Sequence, residues 1–262
     1  MEKTPVLFLG HGSPMNIILK NNFTESLIQL GRAISAPKAI LVVSAHWQTK
    51  GTFVTTTKDP EIIYDFYGFP QELYNITYPC PGAGEQINKL STVFKNAGVE
   101  YDNQRGLDHA AWAVLKHMYP NADIPTMELS LDYGKSPQEH YNLAKKLAPL
   151  REQGVLIIGS GNIVHNLRVI DWDIDAEPYK WAVNFDTIAK QCIVEQNHDK
   201  LIKYEQWGKD ALMAVPTSEH YLPMLYTLGL QDSDEGVHFS YEGFQNASMS
   251  MRCFSIGEYP II

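Results

Sequence analysis

Five of the nine histidines in this chain stand where predicted helices or strands begin or end, and imidazole is the commonest metal ligand among protein side chains. His11, His46 and His165 come at or just beyond the C-terminal ends of three apolar runs. His109 and His220 each stand where a loop meets a predicted helix. Taken alone, each position also fits a turn histidine or a strand-end histidine bonded to the backbone. Taken together, the five positions predict a shared metal site.

The chemistry open to this histidine set depends on the metal. Tetrahedral, nitrogen-rich sites suit Zn²⁺, whereas Fe(II) oxygenases usually use two histidines and one carboxylate with open positions. Glu219 and Glu242 are the candidate carboxylates. A histidine outside the coordination sphere could act as a general acid/base, since its pKa lies near neutrality. The remaining histidines lack a partner motif and are interpreted as surface or core residues: His117, His140, His198 and His238.

The glycine-rich stretch before His165 has an alternative interpretation as a phosphate-binding turn. It does not match G-x-G-x-x-G, and no Walker lysine follows it. We therefore interpret it as a turn that opens a short helix, with Asn162 near the helix start and His165 on the first turn. A Ser/Thr cap likewise predicts that His220 lies on the first turn of a helix.

Alternating strand and helix patterns must position these side chains. Apolar runs bounded by Gly or Ser predict buried parallel strands over residues 6–9, 39–43, 125–129 and 155–158, with two more at 237–241 and 251–256. Amphipathic patterns predict helices over residues 23–35, 84–97, 136–150 and 181–197.

These patterns predict one three-layer α/β domain over residues 1–262, with a mostly parallel central sheet and helices on both faces. Ligands bind at the carboxyl ends of strands in such sheets, so the metal site is expected there. The least regular stretch is 47–81, in which residues 52–57 are expected to form a subsidiary hairpin strand.

Composition restricts the partners and the location of the chain. A net charge of −9 without a Lys/Arg cluster argues against nucleic acid. No apolar stretch approaches the ~20 residues of a membrane span, and the N-terminus lacks the basic region of a signal peptide. Three cysteines without CxxC spacing (Cys80, Cys192 and Cys253) predict reduced thiols and a cytoplasmic location. Nothing demands an oligomer, so we expect a monomer or a weak homo-oligomer.

The histidines lie in motifs that jointly resemble the 4,5-DOPA extradiol dioxygenase family, a branch of the class III extradiol ring-cleavage dioxygenases. The resemblance spans essentially the whole chain, with the motifs in family order. They are GHGSPM (10–15), SAHW (44–47), YDFYGFP (64–70), YPCPG (78–82), GLDH (106–109), GNIVHNL (161–167) and EHYLP (219–223).

The resemblance implies a three-layer α/β fold with one divalent metal per chain in a non-haem centre. His11, His46 and His220 match the family's metal-binding histidines, and His165 matches either a further ligand or the acid/base beside the metal. His109 resembles a second active-site histidine that contacts dioxygen or a substrate hydroxyl. The implied reaction inserts both atoms of O₂ into a catechol ring, adjacent to but not between its hydroxyls. The implied substrate is DOPA or a related catechol.

One departure leaves the metal open. The well-studied ring-cleaving branch uses two histidines and a glutamate, whereas the third position here is His220, so a four-histidine zinc site is an alternative. We expect Fe(II) for dioxygenation and Zn(II) in the isolated protein, where zinc would be inactive because it has no redox chemistry.

Two other functions are compatible with the same histidines. A zinc hydrolase would use a metal-bound water, but a fourth fixed ligand would argue against it because catalytic zinc keeps an open position. A non-enzymatic binding protein would carry a vestigial site. The presence of both candidate acid/base residues, His109 and His165, argues against that second alternative.

Overall fold

A computed structural model describes residues 3–258. The strands in this part of the chain are β1 (Val6–Gly10), β2 (Ala39–Thr49), β3 (Thr52–Thr55), β4 (Val99–Asp102), β5 (Thr126–Asp132), β6 (Val155–Gly161), β7 (Val237–Tyr241), β8 (Phe244–Gln245), β9 (Met249–Ser250) and β10 (Cys253–Ile256). The α-helices are α1 (Asn22–Ala33), α2 (Gly84–Ala97), α3 (His109–Met118), α4 (Pro137–Leu147), α5 (Pro149–Glu152), α6 (Lys180–Val194), α7 (His198–Ile202), α8 (Lys209–Ala214) and α9 (Leu222–Gly229).

The central sheet has the strand order β4-β3-β5-β2-β6-β1-β10-β7 within the described residues. Strands β5, β2, β6 and β1 are parallel neighbours in the middle of the sheet. One edge is antiparallel, because β10 pairs with β1 and with β7 in that sense. The predicted α/β architecture with a mostly parallel sheet is confirmed, and its middle three strands (β2, β6 and β1) are the ones that lead to His46, His165 and His11.

Side chains of the central strands alternate between two apolar layers. On β1, Val6 and Phe8 face one layer, which includes residues of α2, α4, α6 and α9. Leu7 and Leu9 face the other layer, which includes residues of α1 and α3. This alternation follows from the two-residue repeat of a strand, and it explains why these runs are apolar throughout. No helix among residues 3–258 is long and apolar enough to cross a membrane.

Several boundaries differ from the sequence-based expectations. The expected hairpin strand is β3, which belongs to the main sheet, parallel to β4 and antiparallel to β5. Strand β4 was not predicted, because it has only four residues and two of them face solvent. The expected helix 136–150 is divided into α4 and α5, since Pro149 cannot donate to the α4 hydrogen-bond ladder. A capping box formed by Ser136 and Glu139 starts α4.

Candidate metal centre

His11 follows β1 directly, at the middle of the sheet. Its backbone N–H donates to Gly161 O at the end of β6, at 3.1 Å. Gly12 then turns the chain with a positive φ of 63°, a conformation that favours glycine. His11 Nδ1 lies 3.1 Å from Ser160 Oγ, and that hydroxyl donates to Ala110 O at 2.6 Å. The hydroxyl therefore accepts from Nδ1–H of His11, which leaves the His11 Nε2 lone pair free.

His46 lies on a bulge and not at the end of its strand. Strand β2 continues to Thr49, but its register with β5 shifts between Val43 and Gln48. Bulges of this kind re-aim side chains and are frequent beside active sites. The shift lifts His46 out of the ladder, and its Nδ1 lies 3.0 Å from Asp65 Oδ2. Sequence alone predicted a strand end here, because the apolar pattern stops where the bulge begins.

His109 is the first residue of α3, as the sequence predicted. The side chain of Asp108 caps this helix by accepting from the backbone N–H of Ala110. Asp65 Oδ1 lies 2.8 Å from His109 Nδ1 and accepts from the His109 backbone N–H at 3.0 Å. One carboxylate thus contacts both His46 and His109.

His220 lies in the turn before α9, two positions before the first helical residue, so the expectation that it lies on the first turn of the helix was wrong. The turn is closed by Ser218 O, which accepts from the backbone N–H groups of Tyr221 and Leu222. His220 O packs against Gly161, where an added Cβ would come within 2.2 Å of that oxygen. His220 Nδ1 lies 3.2 Å from Glu219 Oε1. Since the carboxylate can only accept, this contact also leaves the His220 Nε2 lone pair free.

His165 differs from the other four in position and in contacts. The expectation that it lies on the first turn of a helix was wrong. His165 forms an isolated bridge with Met249, and its backbone N–H donates to Ala214 O at 2.9 Å. The backbone here pairs with other segments before any helix can form. The His165 ring stacks on His220, with centroids 3.5 Å apart and planes 8° apart. Within the described residues, neither ring nitrogen of His165 has a hydrogen-bond partner.

The five rings cluster together at the rim of the sheet. His46 Nε2 lies 3.3 Å from His11 Nε2 and 3.2 Å from His220 Nε2. The ring centroids of His46 and His109 are 4.2 Å apart. His11, His46 and His109 form one group whose possible ligand atoms lie within 4.8 Å of one another, and His165, Glu219 and His220 form a second.

Burial keeps most of these imidazoles neutral. Burial, and then the nearby His46, hold the pKa of His11 and of His220 well below the usual value. Burial, and then His220, also hold the pKa of His165 well below the usual value. Burial, and then His46, lower the pKa of His109. For His46 burial is again the largest influence and disfavours the charged form, but the hydrogen bond to Asp65 and the negative charges of Asp108, Asp65 and Glu219 together raise the pKa. Neutral imidazole is the form that binds metals.

The donor set of this cluster fits a divalent metal. Hydrogen bonds at Nδ1 fix His11, His46 and His220 in the tautomer whose Nε2 carries a lone pair, and these lone pairs face one another. Lone pairs at such separations repel unless a cation lies between them. Metal–imidazole bonds of about 2.1 Å place neighbouring ligand nitrogens about 3.0–3.4 Å apart, which matches the observed separations. The Nδ1 partners are the outer hydrogen bonds that metal-binding histidines usually make.

Comparisons with known proteins agree with this geometry. Residues 4–252 match the family model described as the catalytic LigB subunit of aromatic ring-opening dioxygenase. The chain belongs to the LigB family of aromatic ring-opening dioxygenases. It is 43% identical to the 4,5-DOPA dioxygenase extradiol of Escherichia coli K12, over 97% of this chain and 95% of that protein. It is 36% identical to the protein of the same name from Beta vulgaris, over 90% of this chain and 91% of that protein.

A solved structure extends the similarity to the fold. The crystal structure of an uncharacterized protein from Escherichia coli K12 superposes with a TM-score of 0.84 at 39% identity, covering 97% of this chain and all of that one. The family resemblance expected from the motifs is therefore confirmed, and so is the expectation of a ring-opening dioxygenase. The hydrolase and binding-protein alternatives receive no support from these matches.

Sequence reasoning missed two residues that contact the histidine cluster, Asp65 and Ser160. Asp65 lies within the aromatic motif at 64–70, from which the sequence predicts no role for it, although its carboxylate contacts two of the histidines. Ser160 lies in the glycine-rich stretch before His165, for which the sequence predicts only a turn. A signal for Asp65 existed, since an acidic residue amid aromatic ones needs a donor partner. Glu242, a candidate ligand, instead forms ion pairs with Lys190 and Arg252.

The other four histidines keep the ordinary role expected of them. His117 Nε2 lies 2.8 Å from a backbone carbonyl oxygen, that of Asn16. His140 Nδ1 lies 3.0 Å from Tyr226 Oη. His198 contacts Tyr141 Oη and Gln231 Oε1, and His238 is part of strand β7.

Proposed function

We propose that this protein is an extradiol dioxygenase that opens the ring of a catechol such as DOPA, with one Fe(II) held by His11, His46 and His220. The observation that carries the proposal is the convergence of three Nε2 lone pairs at separations of 3.2 and 3.3 Å. Each of these histidines is fixed by a partner at Nδ1, as a preorganised metal site requires.

Iron is the metal we propose for the reaction, with zinc as the metal that would occupy the same nitrogens without turnover. Bound Fe(II) would supply the redox chemistry that zinc lacks and the Lewis acidity that favours an ionised catechol. Glu219 and Asp65 each place a carboxylate against a proposed ligand. These two negative charges would offset the charge of a divalent ion in a partly buried site.

The stacking of His165 on His220 favours the acid/base role over the fourth-ligand role. An imidazole binds a metal in the plane of its ring. The two rings are parallel and 3.5 Å apart, so their in-plane lone pairs do not point at a common position. Because burial and His220 lower its pKa, His165 is neutral and able to accept a proton. We therefore propose that His165 takes a proton from a catechol hydroxyl and returns it during ring opening.

His109 is proposed to act on the opposite side of the site. Its Nδ1–H is held by Asp65, so its Nε2 presents a lone pair to the site and accepts a hydrogen bond from a substrate hydroxyl. Phe66 packs edge-on against the His109 ring at 5.6 Å and offers an apolar wall beside it. A planar aromatic substrate suits this surface.

The substrate assignment is supported by the names of the relatives. The proteins from Escherichia coli and Beta vulgaris are named as 4,5-DOPA dioxygenases, and each is matched over nine-tenths or more of both chains. We propose the same substrate class here, with both atoms of O₂ entering the product.

The test begins with anaerobic loading of the metal-free protein with Fe(II). DOPA and air are then added, with O₂ uptake and the yellow semialdehyde product measured together. His165→Ala should lower turnover by roughly 10²–10⁴-fold, whereas His198→Gln, a change outside the histidine cluster, should retain it. If the protein binds iron stoichiometrically and no member of a catechol panel causes O₂ uptake, the proposal is refuted.

The remaining expectations are also proposals. We propose that residues 1–262 form one domain and that the protein works in the cytoplasm as a monomer or weak homo-oligomer. Cys80, Cys192 and Cys253 are buried and form no disulfide, which supports the location. Size-exclusion chromatography with light scattering tests the oligomeric state.

A further inference from the structure

Asp65 is the point where two histidines from different elements meet a single side chain. His46 comes from the bulge of β2 and His109 from the start of α3. Asp65 Oδ2 lies 3.0 Å from His46 Nδ1, and Asp65 Oδ1 lies 2.8 Å from His109 Nδ1. By contrast, Ser160 and Glu219 each contact one histidine of the cluster.

We propose that Asp65 is a positioning residue that sets the tautomers of His46 and His109 together, so that both present an Nε2 lone pair to the metal site. A carboxylate offers only acceptors, so each imidazole that contacts it must present Nδ1–H. The proposal rests on the proposed function in calling His46 a metal ligand and His109 a substrate-contacting histidine. It links a ligand to a substrate-contacting histidine through one side chain.

The loop that carries Asp65 is held by the helix that carries His109. Trp112 of α3 donates its Nε1–H to Ile63 O at 3.1 Å, two residues before Asp65. The Tyr64 ring packs edge-on against Trp112 at 5.9 Å. Although the backbone at Asp65 faces solvent, its side chain is only 20% exposed. The carboxylate is thus fixed relative to α3, and from this position it accepts the hydrogen bond from His46 Nδ1–H.

The substitution Asp65→Asn separates the two contacts without changing the side-chain volume. Asp65 Oδ1 also accepts a hydrogen bond from the backbone N–H of His109. Because a backbone N–H can only donate, the Asn side-chain atom that faces it must be the amide oxygen and not the amide nitrogen. The amide oxygen of Asn therefore stays on His109, and the amide N–H₂ faces His46 Nδ1. His46 must then shift its proton to Nε2 or lose the hydrogen bond, and either change weakens it as a ligand.

The experiment reads the tautomers directly. Long-range ¹H–¹⁵N spectra of histidine side chains are recorded on the metal-free protein in mildly alkaline buffer. In the parent protein, His46 and His109 should both carry the proton on Nδ1. In Asp65→Asn, His46 should move to the Nε2–H form while His109 is unchanged.

A second readout is the affinity for Zn²⁺ alone, measured by chelator competition. Loss of an outer hydrogen-bond partner weakens metal binding by roughly 10–100-fold, and we expect that range for Asp65→Asn. The matched control is Asp59→Asn, an exposed residue of the same loop whose substitution removes the same charge. Its zinc affinity and tautomers should equal those of the parent.

Three results would overturn the proposal. The first is a parent protein in which either histidine is found as Nε2–H, a measurement that needs no variant to fold. The second is an Asp65→Asn protein whose His46 keeps Nδ1–H although its zinc affinity falls, which would make the effect merely structural. The third is an equal loss in Asp59→Asn. None of these readouts involves turnover, so a failure of the proposed dioxygenase activity would be distinguishable from a failure here.

Discussion

Removing the ring of His165 should barely change metal affinity, whereas removing the ring of His220 should nearly abolish it. Structural four-ligand zinc sites bind with about 10–16 kcal/mol, which is roughly 2.5–4 kcal/mol per ligand, or about a 60–700-fold change in Kd. We expect that loss for His220→Ala. His165→Ala loses only the stacking contact with His220, worth about 0.5–1.5 kcal/mol, which is at most about tenfold.

The assay for this prediction separates binding from chemistry. Zinc affinity is measured by chelator competition on both variants, with His198→Gln as the control for a histidine outside the cluster. After Fe(II) loading, His165→Ala should lower kcat by roughly 10²–10⁴-fold, the usual contribution of a positioned acid/base. If His165→Ala weakens zinc binding as much as His220→Ala, the geometric reasoning is refuted and His165 is a fourth ligand.

Three further predictions concern residues outside the proposed ligand set: Ser160, Gly161 and His140. Ser160→Ala should weaken zinc binding about tenfold, because the His11 Nδ1–H loses its acceptor; isothermal titration with Zn²⁺ checks this. Gly161→Ala should destabilise the fold by about 1–3 kcal/mol and weaken metal binding, because the new Cβ would displace His220 O; urea unfolding and chelator competition measure the two effects. Burial, and then Lys135, lower the pKa of His140 in the folded protein to about 4. As the pH falls, this histidine is therefore protonated in the unfolded chain before it is protonated in the folded protein. The free energy of unfolding should fall by up to about 3 kcal/mol between about pH 6.5 and pH 4. Urea unfolding of the metal-free protein should show a smaller pH dependence in His140→Gln, and an equal dependence in both proteins would contradict the assignment.

Much of the fold was predictable because buried parallel strands carry a strong local signal. The runs at Val6, Ala39 and Val155 are apolar at every position, since both of their faces are covered. The short strand β4 carries no such signal, because two of its four residues face solvent. The predicted bounds of α2 match the structure, in which Gly98 ends the helix with a left-handed conformation.

The candidate site was predictable as a set of residue types but not as an arrangement. The bulge that lifts His46 out of the ladder depends on the pairing of β2 with β5, which lies far away in sequence. The bridge between His165 and Met249 likewise depends on a distant segment. Local patterns therefore placed His165 on a helix that tertiary pairing prevents.

By itself, the sequence determined the buried central strands and the longer helices and placed five histidines near their ends, because burial on two faces and the caps of helices leave local patterns. Tertiary structure alone decided that Asp65 joins His46 to His109 and that His165 stacks on His220. Those contacts join residues 19–55 positions apart, and they form only when the sheet, α3 and the turn before α9 meet. Hydrogen-bond direction and ring orientation depend on how these distant segments pack together, so no local sequence pattern encodes them.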